Sequence, residues 1–293
     1  MTTIKHLVFS GGAYRGIYMI GALNKLIKEE FIKLDEIKTI HCVSVGSLIA
    51  SCICLKLDFN NLSEFVINKP WDKLFDFNTE YLFKLTTSIG LYDINIFYDI
   101  YSNILKWKGL KKDITLKELF LLSNIELYIY STNLYSWKKE CFSYKTHPDL
   151  KLIEAVYMSS TLPCVFTPLF MNNTYYLDGG LINSYPLNEC LDCSFNKNEI
   201  LSIVVKNERS NEILNNNNNN NNIFTFGWCI LNNILNKGQD DYYKNGSIKY
   251  ELIIPCQNLN FNEAIKMIKE KSNREEIINE GESQLRQMER ILT

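Results

Sequence analysis

Histidine is scarce: the 293 residues hold three, at positions 6, 41 and 147. A hydrolase triad that runs serine, acid, histidine needs its histidine late in the chain, and none follows His147, which reads as an exposed loop residue before a helix. Net charge is nearly absent too. Thirty-one basic against 33 acidic residues leave −2, with no basic excess to neutralise a phosphate backbone, so nucleic acid is not an expected partner. No uninterrupted apolar run reaches the roughly 18 residues of a membrane span, and no basic start with an apolar stretch and small-residue cleavage site opens the chain. The nine cysteines are odd in number and sit mostly in apolar runs such as Ser51 to Leu55, which argues against a secreted disulfide framework. The expected setting is therefore intracellular and cytoplasmic. Cys190 and Cys193 form a C-x-x-C without a second pair or a nearby histidine, so no zinc site, other metal or cofactor is expected.

What is present is the composition of a folded protein, 46% hydrophobic and 22% charged, long enough to bury a large core. His6 to Phe9 is a short apolar run ended by glycines, hence a strand, and Ile17 to Glu30 carries apolar residues at helical spacing. Ile37 to Val43 and the stretch to Leu55 repeat the pattern around Ser44-Val-Gly-Ser47. Two strand-turn-helix units in series predict right-handed crossovers and a three-layer α/β sandwich, its mainly parallel sheet covered by helices on both faces. Further helices are expected over 94–107, 115–122, 150–159 and 225–235 and from Phe261 onward, with Thr115 and Glu118 placed for a capping box. Further strands are expected at 125–130, near 140–144, and at 175–177, 199–205 and 250–254. The eight asparagines from Asn215 to Asn222 cannot bury apolar area and read as a surface loop. With no internal repeat, residues 1–293 are expected to form one domain.

Three segments carry possible chemistry. Ser44 sits where a strand reverses into a helix, the place of a nucleophilic elbow serine; the bland alternative is a helix N-cap. A free hydroxyl is a weak nucleophile until a neighbour accepts its proton, and with the histidines badly placed a carboxylate would have to serve directly. Asp178 ends a short strand before Gly179 and Gly180, either as that base at the carboxyl edge of the sheet or as an ordinary Asp-Gly turn residue. The turn Ser10-Gly-Gly-Ala-Tyr-Arg-Gly16 could gather N–H groups from Gly11, Gly12 and Ala13 on an anion, with Arg15 adding charge. It lacks the Lys-Ser/Thr of a P-loop and the Rossmann glycine spacing, so an oxyanion hole fits better than a nucleotide.

Taken in order, glycine-rich turn, serine elbow and Asp-Gly-Gly resemble the patatin-like phospholipase family over about residues 4 to 205. The segment Ser159 to Pro168, with Asn183 and Pro186 beyond the acid, is similar to that family as well. The resemblance implies a metal-independent acyl hydrolase of the phospholipase A or lysophospholipase kind. In it Ser44 attacks an ester, Asp178 carries the proton, and the glycine-rich turn holds the oxyanion. Gly46, Gly179 and Gly180 support the elbow and the acid turn. Two positions depart: Ala13 stands for a family glycine, which a donor tolerates if its φ is negative, and Cys42 stands for the first elbow glycine, with an expected effect on Ser44's position or the rate. The implied partners are phospholipid or another acyl-ester lipid and a peripheral membrane surface. An apolar rim is sought in the aromatic stretch 71–83 and in helix 94–107, including Phe97, Tyr101 and Trp107, residues that also read as plain core. A catalytically silent lipid- or protein-binding relative, or an acyltransferase on the same site, are the competing readings.

Overall fold

A computed structural model describes residues 3–75, 88–207, 223–240, 248–257 and 259–284; the asparagine run and the aromatics Phe77, Tyr81 and Phe83 lie outside them. The first apolar run forms β1 (His6–Phe9), every residue buried, and feeds α1 (Gly16–Lys28). The second pair is β2 (Thr39–Val43) and α2 (Val45–Cys54), apolar nearly all round and correspondingly buried. Then come α3 (Phe59–Asn68), α4 (Trp71–Leu74), β3 (Gly90–Tyr92), α5 (Asn95–Trp107) and α6 (Leu116–Ser123). The Thr115–Glu118 capping box starts α6, and Asn124 in the left-handed region ends it. A hairpin of β4 (Glu126–Asn133) and β5 (Lys138–Phe142) leads to α7 (Leu152–Ser159), β6 (Cys164–Phe166), β7 (Phe170–Met171) and β8 (Thr174–Asp178). The rest comprises α8 (Gly180–Asn183), α9 (Leu187–Asp192), β9 (Ile200–Asn207), α10 (Ile223–Asp240), β10 (Tyr250–Cys256), α11 (Phe261–Lys269) and α12 (Lys271–Ser283).

The main sheet runs β10-β9-β1-β2-β4-β8-β7, with β5 also on β4. From β10 to β4 every pairing is parallel, as crossover helices require, whereas β5 and β8 pair antiparallel with β4 and β7 pairs antiparallel with β8. Side-chain alternation splits the faces. Leu7 and Phe9 point into the large core under α1, α2, α5 and α7, while Val8 joins Tyr185, Leu187 and Cys190 of the smaller opposite core. The sheet is thus flanked by helices unequally. The short pair β3–β6 was not legible in the sequence, because three-residue strands carry too few periods to show.

The C-terminal region is tied in by a buried arginine. Arg274 of α12 donates to the carbonyls of Ile268 and Lys269 at 2.6 and 2.7 Å, and to that of Ile67 at 2.5 Å. One guanidinium so satisfies the ends of α11 and α3 together.

Candidate active site

The strand-to-helix turn after β2 holds Ser44 at φ 54°, ψ −126°, a region costly for any residue with a Cβ. Its surroundings hold the turn in place. The Ser44 N–H donates to Ser159 Oγ at 2.9 Å, Ser159 donates in turn to the Tyr130 carbonyl at 2.6 Å, and Ser47 Oγ donates to the Ser44 carbonyl at 2.5 Å. Close approach explains Gly46: a Cβ there would lie 2.7 Å from the Ser10 carbonyl oxygen and 2.8 Å from Phe9 Cβ. Ser44 makes no side-chain cap to its helix; its hydroxyl points elsewhere.

Sheet register decides where. Val43 pairs with Tyr130, so Ser44 follows at the level of Ser131, and Ser131 pairs with Asp178 on antiparallel β8. Two residues 134 positions apart therefore meet at the ends of the parallel strands, with Ser44 Oγ donating to Asp178 Oδ2 at 2.6 Å. The other carboxylate oxygen accepts the Gly180 N–H at 2.7 Å, which gives the Asp-Gly-Gly spacing its reason. Gly179 passes so near β4 that a Cβ would lie 2.3 Å from the Tyr130 oxygen. Asp178 is 1% exposed. Burial raises its pKa from 3.8 to about 6, against the opposing hydrogen bonds from Ser44 and Gly180.

Beside this pair lies the glycine-rich turn. The Gly11 N–H donates to the Ser184 carbonyl at 2.8 Å, so it is engaged, and the expectation that it joins an anion site is corrected. Gly12 and Ala13 line a pocket with Ser44 and Asp178, and their N–H groups have no partner among the described residues. Ala13 has φ +49°, so the condition of a negative φ, under which alanine would replace glycine there without strain, is not met: the turn needs left-handed backbone at this position whether or not the residue is glycine. Arg15 is buried, its Nε donating to the Gly12 carbonyl at 3.0 Å; it braces the turn and adds charge next to it.

An apolar cavity of about 250 Å³ adjoins Ser44. Leu48 and Ile49 of α2, Phe97, Ile100 and Tyr101 of α5, and Trp228 of α10 form much of its wall. Phe97 and Tyr101 are thus core residues whose inner faces bound a void, not an exposed rim; among the α5 aromatics only Trp107 is exposed, at 64%. A dry apolar cavity of about 150 Å³ admits benzene, and this one is larger.

The sequence profile of the patatin-like phospholipase family matches residues 7–191. The chain belongs to that family. It is 31% identical over 197 residues to a probable lipid hydrolase of Invertebrate iridescent virus 6, an alignment spanning 67% of this chain and 66% of that relative. It is 26% identical to an uncharacterized protein of Acanthamoeba polyphaga mimivirus, over 84% of this chain and 80% of the other. The crystal structure of VipD from Legionella pneumophila superposes with a TM-score of 0.56 at 14% identity, covering 96% of this chain and 67% of that one, a likeness of fold.

Within this patatin-like frame Cys42 is fully buried and directs Sγ toward the Tyr128 carbonyl at 3.4 Å. It occupies core volume while Ser44 keeps its contact with Asp178. None of the histidines lines either cavity. His41 bonds Tyr130 through Nδ1 at 2.8 Å, and burial lowers its pKa to about 3, so its ring is neutral. His147 is half-buried rather than exposed, its ring edge-on to Phe142. Cys190 is buried and Cys193 exposed, and among the described residues no group of three His, Cys, Asp or Glu is placed to hold a metal ion. No described helix is long and apolar enough to cross a membrane. Sequence reasoning missed Ser159 and Thr161, whose hydroxyl or carbonyl groups brace Ser44 and Asp178, and missed the C-terminal helices as walls of the site. Their only sequence signal was the serine-rich segment and an amphipathic pattern.

Proposed function

We propose that this chain is a lipid acyl hydrolase with Ser44 as nucleophile and Asp178 as general base. The observation that carries the reading is the 2.6 Å hydrogen bond from Ser44 Oγ to a buried carboxylate at a strained elbow, with the hydrocarbon-sized cavity beside it. Ser44 Oγ bonds to the ester carbonyl carbon as its proton passes to Asp178 Oδ2. The carbonyl π pair moves to oxygen, which the Gly12 and Ala13 N–H groups hold. Collapse expels the alcohol, which takes the proton from Asp178. Water then gives a proton to the same carboxylate as its oxygen bonds to the acyl carbon; the bond from that carbon to Ser44 Oγ breaks, Oγ takes the proton back from Asp178, and the fatty acid leaves. The acyl chain lies in the apolar cavity throughout. A base raised to about 6 is charged at pH 7 yet close enough to the working pH to exchange protons.

For access to lipid, the exposed face of α10 is better suited than the aromatics of α5. Phe226, Ile230 and Ile234 are 52%, 46% and 40% exposed at four-residue intervals, an apolar strip on a helix whose opposite side faces the site. The test is product analysis on mixed phospholipid vesicles combined with fluorophosphonate labelling. Fatty acid release, with label on Ser44, is expected from wild type and from neither Ser44→Ala nor Asp178→Asn; release persisting in Ser44→Ala would defeat the reading.

A further inference from the structure

The wall of the site contributed by α10 contains one polar group with unmet hydrogen bonding. Asn232 is 4% exposed, and its Nδ2 has no partner among the described residues. Buried donors are rarely left so, because each forfeits the bond it made to water. Asn232 lines the same small pocket as Gly12, Ala13, Ser44 and Asp178. That pocket has a volume of about 20 Å³, room for one water-sized group, since roughly 10–15 Å³ suffices for a water. The helix is held over it: Ser184 Oγ donates to the Leu235 carbonyl at 3.1 Å, and Trp228 Nε1 to the Leu259 carbonyl at 3.3 Å.

The pocket therefore brings two unpartnered backbone N–H groups, an unpartnered amide and the charge of buried Arg15 around a space for one oxygen. Asp178, the carboxylate on this pocket, is already engaged by Ser44 and Gly180, and the remaining donors suit an oxygen that becomes negative. We propose that the Asn232 side-chain amide is a third donor to the acyl carbonyl oxygen, supplied by a helix outside residues 7–191. The inference rests on the serine–aspartate reading above. As the bond from Ser44 Oγ to the carbonyl carbon forms and the π pair moves to oxygen, Asn232 donates a hydrogen bond and transfers no proton. It would act most strongly once the charge has developed, and so on kcat rather than on KM.

Steady-state hydrolysis of a soluble short-chain nitrophenyl ester by the full chain tests this, with Asn232→Ala and Asn232→Asp compared with wild type and urea unfolding run on each. The expected result is a kcat lower by about 10²–10³-fold in Asn232→Ala, with KM within threefold and an unchanged urea midpoint. Asn232→Asp, nearly isosteric but with an acceptor facing the oxyanion, is expected to lose at least as much. A kcat within threefold of wild type in either folded variant overturns the inference, as does a raised KM with kcat intact. If Ser44→Ala is inactive while both Asn232 variants keep full rate, this inference alone fails. If wild type is inactive, or Ser44→Ala remains active, the hydrolase reading fails and takes this one with it.

Discussion

Asp178→Asn separates the chemistry of the buried carboxylate from its effect on folding. The asparagine keeps the shape and leaves a carbonyl oxygen for the Gly180 N–H, but removes the charge and the proposed base. Because the folded-state pKa lies near 6 and the ordinary value is 3.8, the folded protein binds this proton more tightly than the unfolded chain. Stability contributed by the neutral acid is complete below about pH 4 and is lost as pH rises to 6 and above. At about 1.4 kcal/mol per pH unit, the displacement corresponds to a loss of roughly 3 kcal/mol by pH 8. Asp178→Asn escapes that loss. Its urea-derived stability relative to wild type is expected to improve by about 2.5 kcal/mol between pH 4 and pH 8, although ester hydrolysis falls by several orders of magnitude. The comparison cancels every other titrating group, which the two proteins share. Equilibrium unfolding followed by far-ultraviolet circular dichroism at half-unit pH steps provides the measurement. A stability difference that stays flat with pH, or that moves toward wild type as pH rises, refutes the reasoning.

The same carboxylate predicts that wild-type kcat/KM declines below an apparent pKa near 6 and is level above it; an acid limb centred below pH 5 in a stopped assay argues against Asp178 as base. Gly46→Ala places a methyl 2.7 Å from the Ser10 oxygen and is expected to destabilise by about 3 kcal/mol, read by urea midpoint together with loss of fluorophosphonate labelling at Ser44. Ala13→Gly relieves φ +49°, worth about 1–2 kcal/mol, against roughly 0.5–1 kcal/mol of added chain entropy; a small gain with hydrolysis retained is expected, and a clear loss in the urea midpoint contradicts the strain argument. Ile100→Trp fills part of the apolar cavity, so kcat/KM for long acyl esters should drop at least tenfold more than for butyrate esters; equal losses across chain length would remove the cavity as the acyl site.

Much of this protein was legible before any coordinates, for a physical reason. Strand, glycine turn and helix follow from periodicity and from glycine's tolerance of tight approach, both properties of a few consecutive residues. That is why His6 to Phe9, the elbow at Ser44, the Thr115 capping box and the acid turn at Asp178 could be placed. The scarcity of histidine likewise pointed to a carboxylate partner for Ser44, since absence of a residue type is a fact about the whole chain. Side-chain environment was less accessible: Phe97 and Tyr101 look identical in sequence whether they fill a core or border a void.

What the amino-acid order determined, then, was the chemistry each segment carries and the local backbone that presents it. Tertiary structure alone decided which groups meet. Antiparallel β8 brings Asp178 level with Ser131 and so beside Ser44. Ser184 takes the Gly11 N–H, leaving that turn's donors to Gly12 and Ala13, and α10 delivers Asn232 from a distant part of the chain. Such pairings depend on register and helix packing between segments far apart, and no local pattern encodes the partner at the other end.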